Sequence, residues 1–425
     1  MKRKVYVGAT FVALLVGLGV GSTVLDRRVH AAGGTQAPRF EVDPMWPKPL
    51  PNHWVMGNTI GVSVDSKDHI WIIHRQGSLE AMENYGIANP PGPKRQKGVV
   101  EAECCIPAPP VLEFDEEGNL LNHWGGSDGD GYVWPDSNHG ITVDFKGNVW
   151  IGGNGRGTPP GQAPGRGAGR GGPLYYHDSM IMKFTQEGKF LMQIGKSGQS
   201  KGSNDTENLG LPAKITVDPK TNEVYVSDGY GNKRVIVFDG DTGKFKRYWG
   251  AYGHKPDDTN AGRYDPDAPP AQQFRNPVHC AELSNDGMLY VCDRVNDRIQ
   301  VFKPDGTFVK EHVYYKNTLG DGAVWDIAFS KDAQQKYIYL ADGSNEKVHI
   351  LDRESLEVLT SFGDGGRQPG AFYAVHSIST DSKGNIFTTE TYRGQRVQKF
   401  VYKGLAPVTK QDQGVLWPKT AKSPM

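Results

Sequence analysis

The sequence lacks most of the features that identify a protein at first sight. Only four of its 425 residues are cysteine: Cys104, Cys105, Cys280 and Cys292. Adjacent Cys104 and Cys105 have no spacing suited to a zinc site. Net charge is absent, with 48 basic residues balanced by 48 acidic ones. Bulk charge therefore points to neither nucleic acid nor an anionic surface as partner. Helical periodicity is scarce, and beyond the N-terminus no apolar run is long enough to cross a bilayer.

What is plentiful is glycine (54), proline (28) and short runs of β-branched or aromatic residues. That combination reads as an all-β chain, long enough for one large β domain or two ordinary ones. The first residues stand apart. "MKRK" is a positively charged start, the next 21 residues are apolar, and "VHA" at 29–31 resembles a cleavage site. The favoured expectation is a cleaved export signal over 1–31, giving a periplasmic or extracellular protein. An uncleaved anchor is the alternative, and membrane association is expected only in that case. In an exported chain disulfides are permitted. If "SNDG" turns a hairpin, Leu283 faces Leu289 and Cys280 faces Cys292, so a cross-strand disulfide is possible there.

One pattern recurs six times. "NTIGVSVDSKDHIWIIHR" begins at Asn58, "SNHGITVDFKGNVWIGGN" at Ser137 and "LPAKITVDPKTNEVYVSDGYGNKRVIVF" at Leu211. "NPVHCAELSNDGMLYVCDRVNDRIQVF" begins at Asn276, and further copies begin at Ala323 and Tyr373. Each is a strand, a turn opened by Asp or Ser, a second strand, a polar corner and a third strand. The turn residues are Asp65, Asp144, Asp218, Ser284, Ser330 and Asp381. The last spacings, 46 and 51 residues, suit one propeller blade each, and the longer early spacings imply inserted loops. "GKFLMQIG", "GKFKRYWG" and "LEVLTSFG" read as fourth strands. The expectation is a six-bladed β-propeller over 55–402. An N-terminal segment at 32–54 contributes "RFEVD" (39–43) as a closing strand, and 403–425 forms a tail. Closure removes exposed sheet edges. The corner D-x-x-N-x-R-[IV]-x-x-F resembles the NHL repeat family of propellers.

Two inserts interrupt the pattern. Residues 154–173 are a low-complexity Gly/Pro/Arg stretch. Its G-x-G-x-x-G at Gly167 neither follows a strand tightly nor opens a helix, so it reads as a surface loop and not a nucleotide site. Residues 86–110, Pro-rich with "PKRQK", read as a loop near one channel mouth.

Five positions before the six turn residues stand Ile60, His139, Ala213, His279, Trp325 and His376. Histidine occupies alternate blades. The innermost strand of a blade lines the channel, so these three side chains converge on one axis. Taken singly, each is a channel-wall histidine; taken in alternation, they form a three-nitrogen metal site of the kind that suits zinc with one open position. Arg75 and Arg294 occupy equivalent corners after the second strands, and Tyr230 and Tyr392 equivalent positions one residue later. Arginine is suited to a carboxylate, and a tyrosine beside a cation can act as a base. Each arginine can instead pair with a corner acid such as Asp293. Asp228, Asp293, Asp342 and Glu390, with Arg234, Arg298, Lys347 and Arg396, are expected to be repeat-stabilising pairs.

The segments "IWIIHRQ", "HGITVD", "VSDGYGNKRVIVF" and "VHCAELSNDGMLYVCDRVNDRIQVF" resemble peptidyl-α-hydroxyglycine α-amidating lyase. The resemblance implies a zinc site at His139, His279 and His376, catalytic roles for Arg75, Arg294 and Tyr230, and cleavage of a peptidyl-α-hydroxyglycine to an amide and glyoxylate. It also implies a structural calcium on the backbone carbonyls of Val62 and Ile141. Ser377 stands where the family has that ion's acidic ligand, and Gly231 stands where it has a cysteine. The expected partner is a small or peptidic substrate bearing a carboxylate, and a monomer is expected. Two other readings remain: a non-catalytic propeller that binds a protein or polymer, and a propeller lactonase.

Overall fold

The computed structural model describes residues 34–87, 98–157 and 175–419. The export signal and the Gly167 motif lie outside them. The described residues form six four-stranded antiparallel sheets and one two-stranded pair. Each sheet is one blade, with its first strand innermost. Those inner strands are Asn58–Val64, Asn138–Val143, Lys214–Val217, Val278–Leu283, Asp326–Phe329 and Val375–Thr380. Blade six takes its outer strand from Gln36–Asp43, which pairs with Arg396–Pro407. Leu416 then bonds back to Phe40 and Val42. The N-terminal strand therefore completes blade six and closes the ring, as the "RFEVD" pattern implied.

The turn aspartates have a physical reason. The carboxylate of Asp144 accepts the amides of Lys146 and Asn148 at 2.9 and 2.8 Å and the Trp150 indole N–H at 2.9 Å. Asp65 does the same for Lys67, His69 and Trp71. Such Asx turns satisfy backbone donors that a tight hairpin would otherwise strand. Between turns, alternation sends side chains into the gaps between blades. One apolar cluster fills each gap, for example Ile60, Ile73, Ile141 and Phe184 between blades one and two. Val62 lies in the core between blades six and one.

The corner pairs form in three blades. Arg234 meets Asp228 at 2.8 Å, Arg298 meets Asp293 at 2.8 Å and Arg396 meets Glu390 at 2.6 Å. Blade five departs from the expectation. Asp342 bonds His349 and Asn345, while Lys347 turns to Asp412 and the Gly363 carbonyl. An arginine fork joins the corner acid to loop carbonyls at once, as Arg234 does with Ser203 and Asn208. A lysine ammonium lacks that planar fork, and in this blade His349 takes the corner acid.

Cys280 and Cys292 face one another in register and are bonded. Cys104 and Cys105 are bonded to each other, which the sequence reading did not anticipate. Among the described residues no helix is long and apolar enough to cross a membrane.

Candidate metal centre

The three histidines enter the channel through β-bulges. Pairing between first and second strands slips at His139/Ile141, Val278/Cys280 and Val375/Ser377. A bulge re-aims one side chain without ending the strand. All three imidazoles are buried, and their ring centroids lie 4.8 to 5.2 Å apart.

Each histidine is held by the blade that follows. Nδ1 of His139 meets the Ala213 carbonyl at 2.7 Å, that of His279 the Trp325 carbonyl at 2.5 Å, and that of His376 the Ile60 carbonyl at 2.8 Å. The acceptors are the equivalent positions of the three blades without histidine. A carbonyl only accepts, so Nδ1 carries the hydrogen and Nε2 keeps its lone pair. Protonation of Nε2 is opposed as well. Burial, with the Arg75 charge next, pushes His139 down to about 3. Burial and then the neighbouring imidazoles push His279 and His376 well below the usual range. Three neutral Nε2 acceptors thus share one buried space, and their ligand atoms lie within 4.8 Å of one another. This donor set fits a metal ion that takes imidazole nitrogen.

Tyr230 completes the ring. Its hydroxyl lies 3.0 Å from Nε2 of both His139 and His279, and receives Nη1 of Arg294 at 3.2 Å. One O–H cannot serve two nitrogens at once, so lone pairs remain for a cation. The corner that presents Tyr230 needs a glycine before it, because a Cβ on Gly229 would lie 2.0 Å from the Val278 carbonyl. Burial raises the phenol's pKa, and Arg294 and Arg75 oppose that rise.

The two arginines lie on the same side. Arg294 is fixed by the Asp321 carbonyl at 2.7 Å and stacks 4.0 Å from the Trp325 ring centre. Its neighbour Asp293 is taken by Arg298, and Arg294 instead pairs with the carboxylate of the loop residue Asp321 at 3.2 Å, so an acid pairing does form, though not with the corner acid. Arg75 donates to the Asn138 carbonyl at 3.0 Å and to Asn154 at 2.8 Å. Tyr392 stands apart: it is half exposed and bonds Asp321 at the rim.

Behind the histidines the channel is closed by Asp326 and Ser377 together with Lys214 and Glu282, the last two of which the sequence reading missed. Lys214 Nζ lies 2.7 and 2.8 Å from the Asp326 oxygens and 2.8 Å from Glu282. Ser377 Oγ donates to Asp326 at 2.7 Å. The space between the three histidines and Lys214, Asp326 and Ser377 is about 10 Å³, a single water's worth at most. Calcium requires six to eight oxygens, and these residues do not fit it: the acid is already paired and the position beside His376 is a serine. Stepping the repeat alignment forward by one residue reveals the signal, since Lys214, Asp326 and Ser377 all fall there.

The NHL repeat family model matches residues 209–238, the blade-three segment that carries Tyr230. Peptidyl-glycine alpha-amidating monooxygenase of Mus musculus is 26% identical over 343 residues, which is 79% of this chain and 29% of that protein. Peptidyl-alpha-hydroxyglycine alpha-amidating lyase 1 of Drosophila melanogaster is 23% identical over 85% of this chain and 59% of its own length. NHL repeat-containing protein 3 of Mus musculus is 24% identical over 88% of this chain and 87% of that protein. The chain thus spans less than a third of the mouse monooxygenase and over half of the fly lyase. The chain is a six-bladed β-propeller with an NHL-repeat match in its third blade, similar in sequence over most of its length to amidating enzymes.

Proposed function

We propose that the chain is an exported, zinc-dependent carbon–nitrogen lyase that splits an N-acyl α-hydroxyglycine-type substrate into an amide and glyoxylate. The observation that carries this reading is the Tyr230 hydroxyl set between two neutral imidazole Nε2 atoms and an arginine. His139, His279 and His376 would hold the ion. Bound there, zinc supplies Lewis acidity toward the substrate hydroxyl oxygen and positive charge beside the phenol.

The chain's own residues do the rest. Tyr230, as phenolate, takes the proton of the α-hydroxyl group. The electrons of that O–H bond form the aldehyde carbonyl as the C–N bond breaks, and its pair remains on nitrogen. Tyr230 returns the proton to that nitrogen, giving a primary amide and glyoxylate. Arg294 and Arg75, both close enough to bias the phenol electrostatically, favour the phenolate and bind the substrate carboxylate. Asn276 bonds the Gly229 carbonyl, and Val295 follows Arg294; both line a separate neighbouring cleft of about 620 Å³.

Secretion as a monomer after signal cleavage is part of the proposal, and the two disulfides support an oxidising compartment. A binding-only propeller is the second reading, since the relative covered over most of its own length, NHL repeat-containing protein 3, carries no activity in its name. Glyoxylate release from α-hydroxyhippurate separates the two. The lyase reading expects turnover that Tyr230→Phe lowers by about a hundredfold or more. Zinc-loaded protein without turnover of any N-acyl α-hydroxyglycine contradicts it.

A further inference from the structure

We infer that Lys214 is a built-in cation: its ammonium holds the axial place behind the histidine ring and excludes a second, divalent ion. The Asp326 carboxylate is fully engaged. It accepts Lys214 on both oxygens, Ser377 Oγ at 2.7 Å, and the amides of Ile327 and Ile378 at 2.9 and 3.1 Å. Glu282 takes the same ammonium at 2.8 Å and a hydroxyl from Thr216 at 3.4 Å. The Asp326 side chain is 2% exposed, Lys214 13% and Glu282 19%. No oxygen of Asp326 remains for a metal that needs six to eight.

The position of the ammonium also matters to the histidines. Lys214 follows Ala213, whose carbonyl holds His139. Asp326 follows Trp325, whose carbonyl holds His279. Ser377 follows His376. One Lys–Asp–Ser chain therefore ties blades three, five and six together one residue from each imidazole or its anchor. Lys214 is on this account a positioning residue, and the cation that stands in this place is one the chain carries covalently. The inference does not depend on the lyase reading, because it is read through metal content and melting temperature.

Removing the ammonium leaves two carboxylates facing each other, a charge that a divalent oxygen-seeking cation matches. The test compares wild type, Lys214→Ala and Lys214→Ala/Glu282→Gln, each stripped with EGTA and dialysed against millimolar calcium. Wild type is expected to retain no calcium and to melt at the same temperature with EGTA or calcium. Lys214→Ala is expected to take up one calcium per chain and to melt higher as calcium rises; the double variant should lose that response. One calcium per wild-type chain overturns the inference, and so does a folded Lys214→Ala that ignores calcium. If Lys214→Ala does not fold, the charge-neutral Lys214→Met/Asp326→Asn/Glu282→Gln protein and the wild-type measurement decide, and calcium in either is contradictory.

Discussion

The Tyr230 hydroxyl lies 3.0 Å from Nε2 of His279, on the side of the imidazole that faces the channel axis. The same oxygen is 3.0 Å from Nε2 of His139. A phenol in that place neighbours any ion on the histidines and, on the proposed lyase reading, carries a proton toward the substrate.

Tyr230→Phe removes the proton carrier and leaves the three imidazoles and their carbonyl anchors intact. Turnover is expected to fall by about a hundred- to ten-thousand-fold, the range of a lost general base. Metal content should be unchanged. Elemental analysis alongside glyoxylate assays checks both, and a variant that loses zinc in step with activity would instead make Tyr230 a ligand.

Arg294→Lys keeps a positive charge and loses the fork. Arg294 is held by the Asp321 carbonyl and by the Trp325 face, so its geometry is preset. Loss of a charge-assisted bond worth about 1.5–3 kcal/mol predicts roughly a ten- to hundredfold fall in kcat/KM. Substrates lacking the carboxylate should show little difference between the two proteins.

His74 makes stability pH-dependent. Gly57 N–H donates to its Nδ1 at 3.1 Å, so Nε2 carries the hydrogen toward the Pro109 carbonyl at 3.0 Å. Burial pushes its pKa down to about 4, against the raising effect of the Pro109 and Ala108 carbonyls. The unfolded chain takes up the proton below the ordinary value of about 6.5, while the folded chain refuses it until about 4. The His74 contribution is therefore complete above about 6.5 and is lost as pH falls toward 4, by up to about 3 kcal/mol. Denaturant melts across that window should show a shallower pH slope in His74→Gln than in wild type.

The Cys280–Cys292 bond joins positions 12 residues apart, beside His279. By loop-closure entropy, Cys280→Ala/Cys292→Ala should lose about 3 kcal/mol of stability. Chemical denaturation measures that loss. The strand register is set by Leu283 opposite Leu289 as well, so the double variant should still fold and bind metal.

The fold and the ring of histidines were legible because a repeat places one residue per blade at one register. Reading His139, His279 and His376 in alternation required only the turn positions. Tyr230, Arg75 and Arg294 followed because corners are also repeated. What stayed hidden was set by contacts between blades. Glu282 lies three residues past His279, and only the folded ring brings it to Lys214 of blade three. Asn154 and Asp321, which hold the two arginines, come from loops outside the repeat. Lys347 looked like another corner partner, yet the His349 imidazole two residues on takes Asp342. Adjacent Cys104 and Cys105 gave no pattern from which their mutual bond could be read.

Zinc content and glyoxylate release, measured together in wild type and His279→Ala, test the account most directly. The account predicts about one zinc per wild-type chain, glyoxylate from α-hydroxyhippurate, and loss of both in His279→Ala. Purified wild-type protein that holds no zinc, or a His279→Ala protein that keeps zinc and turnover, would contradict it.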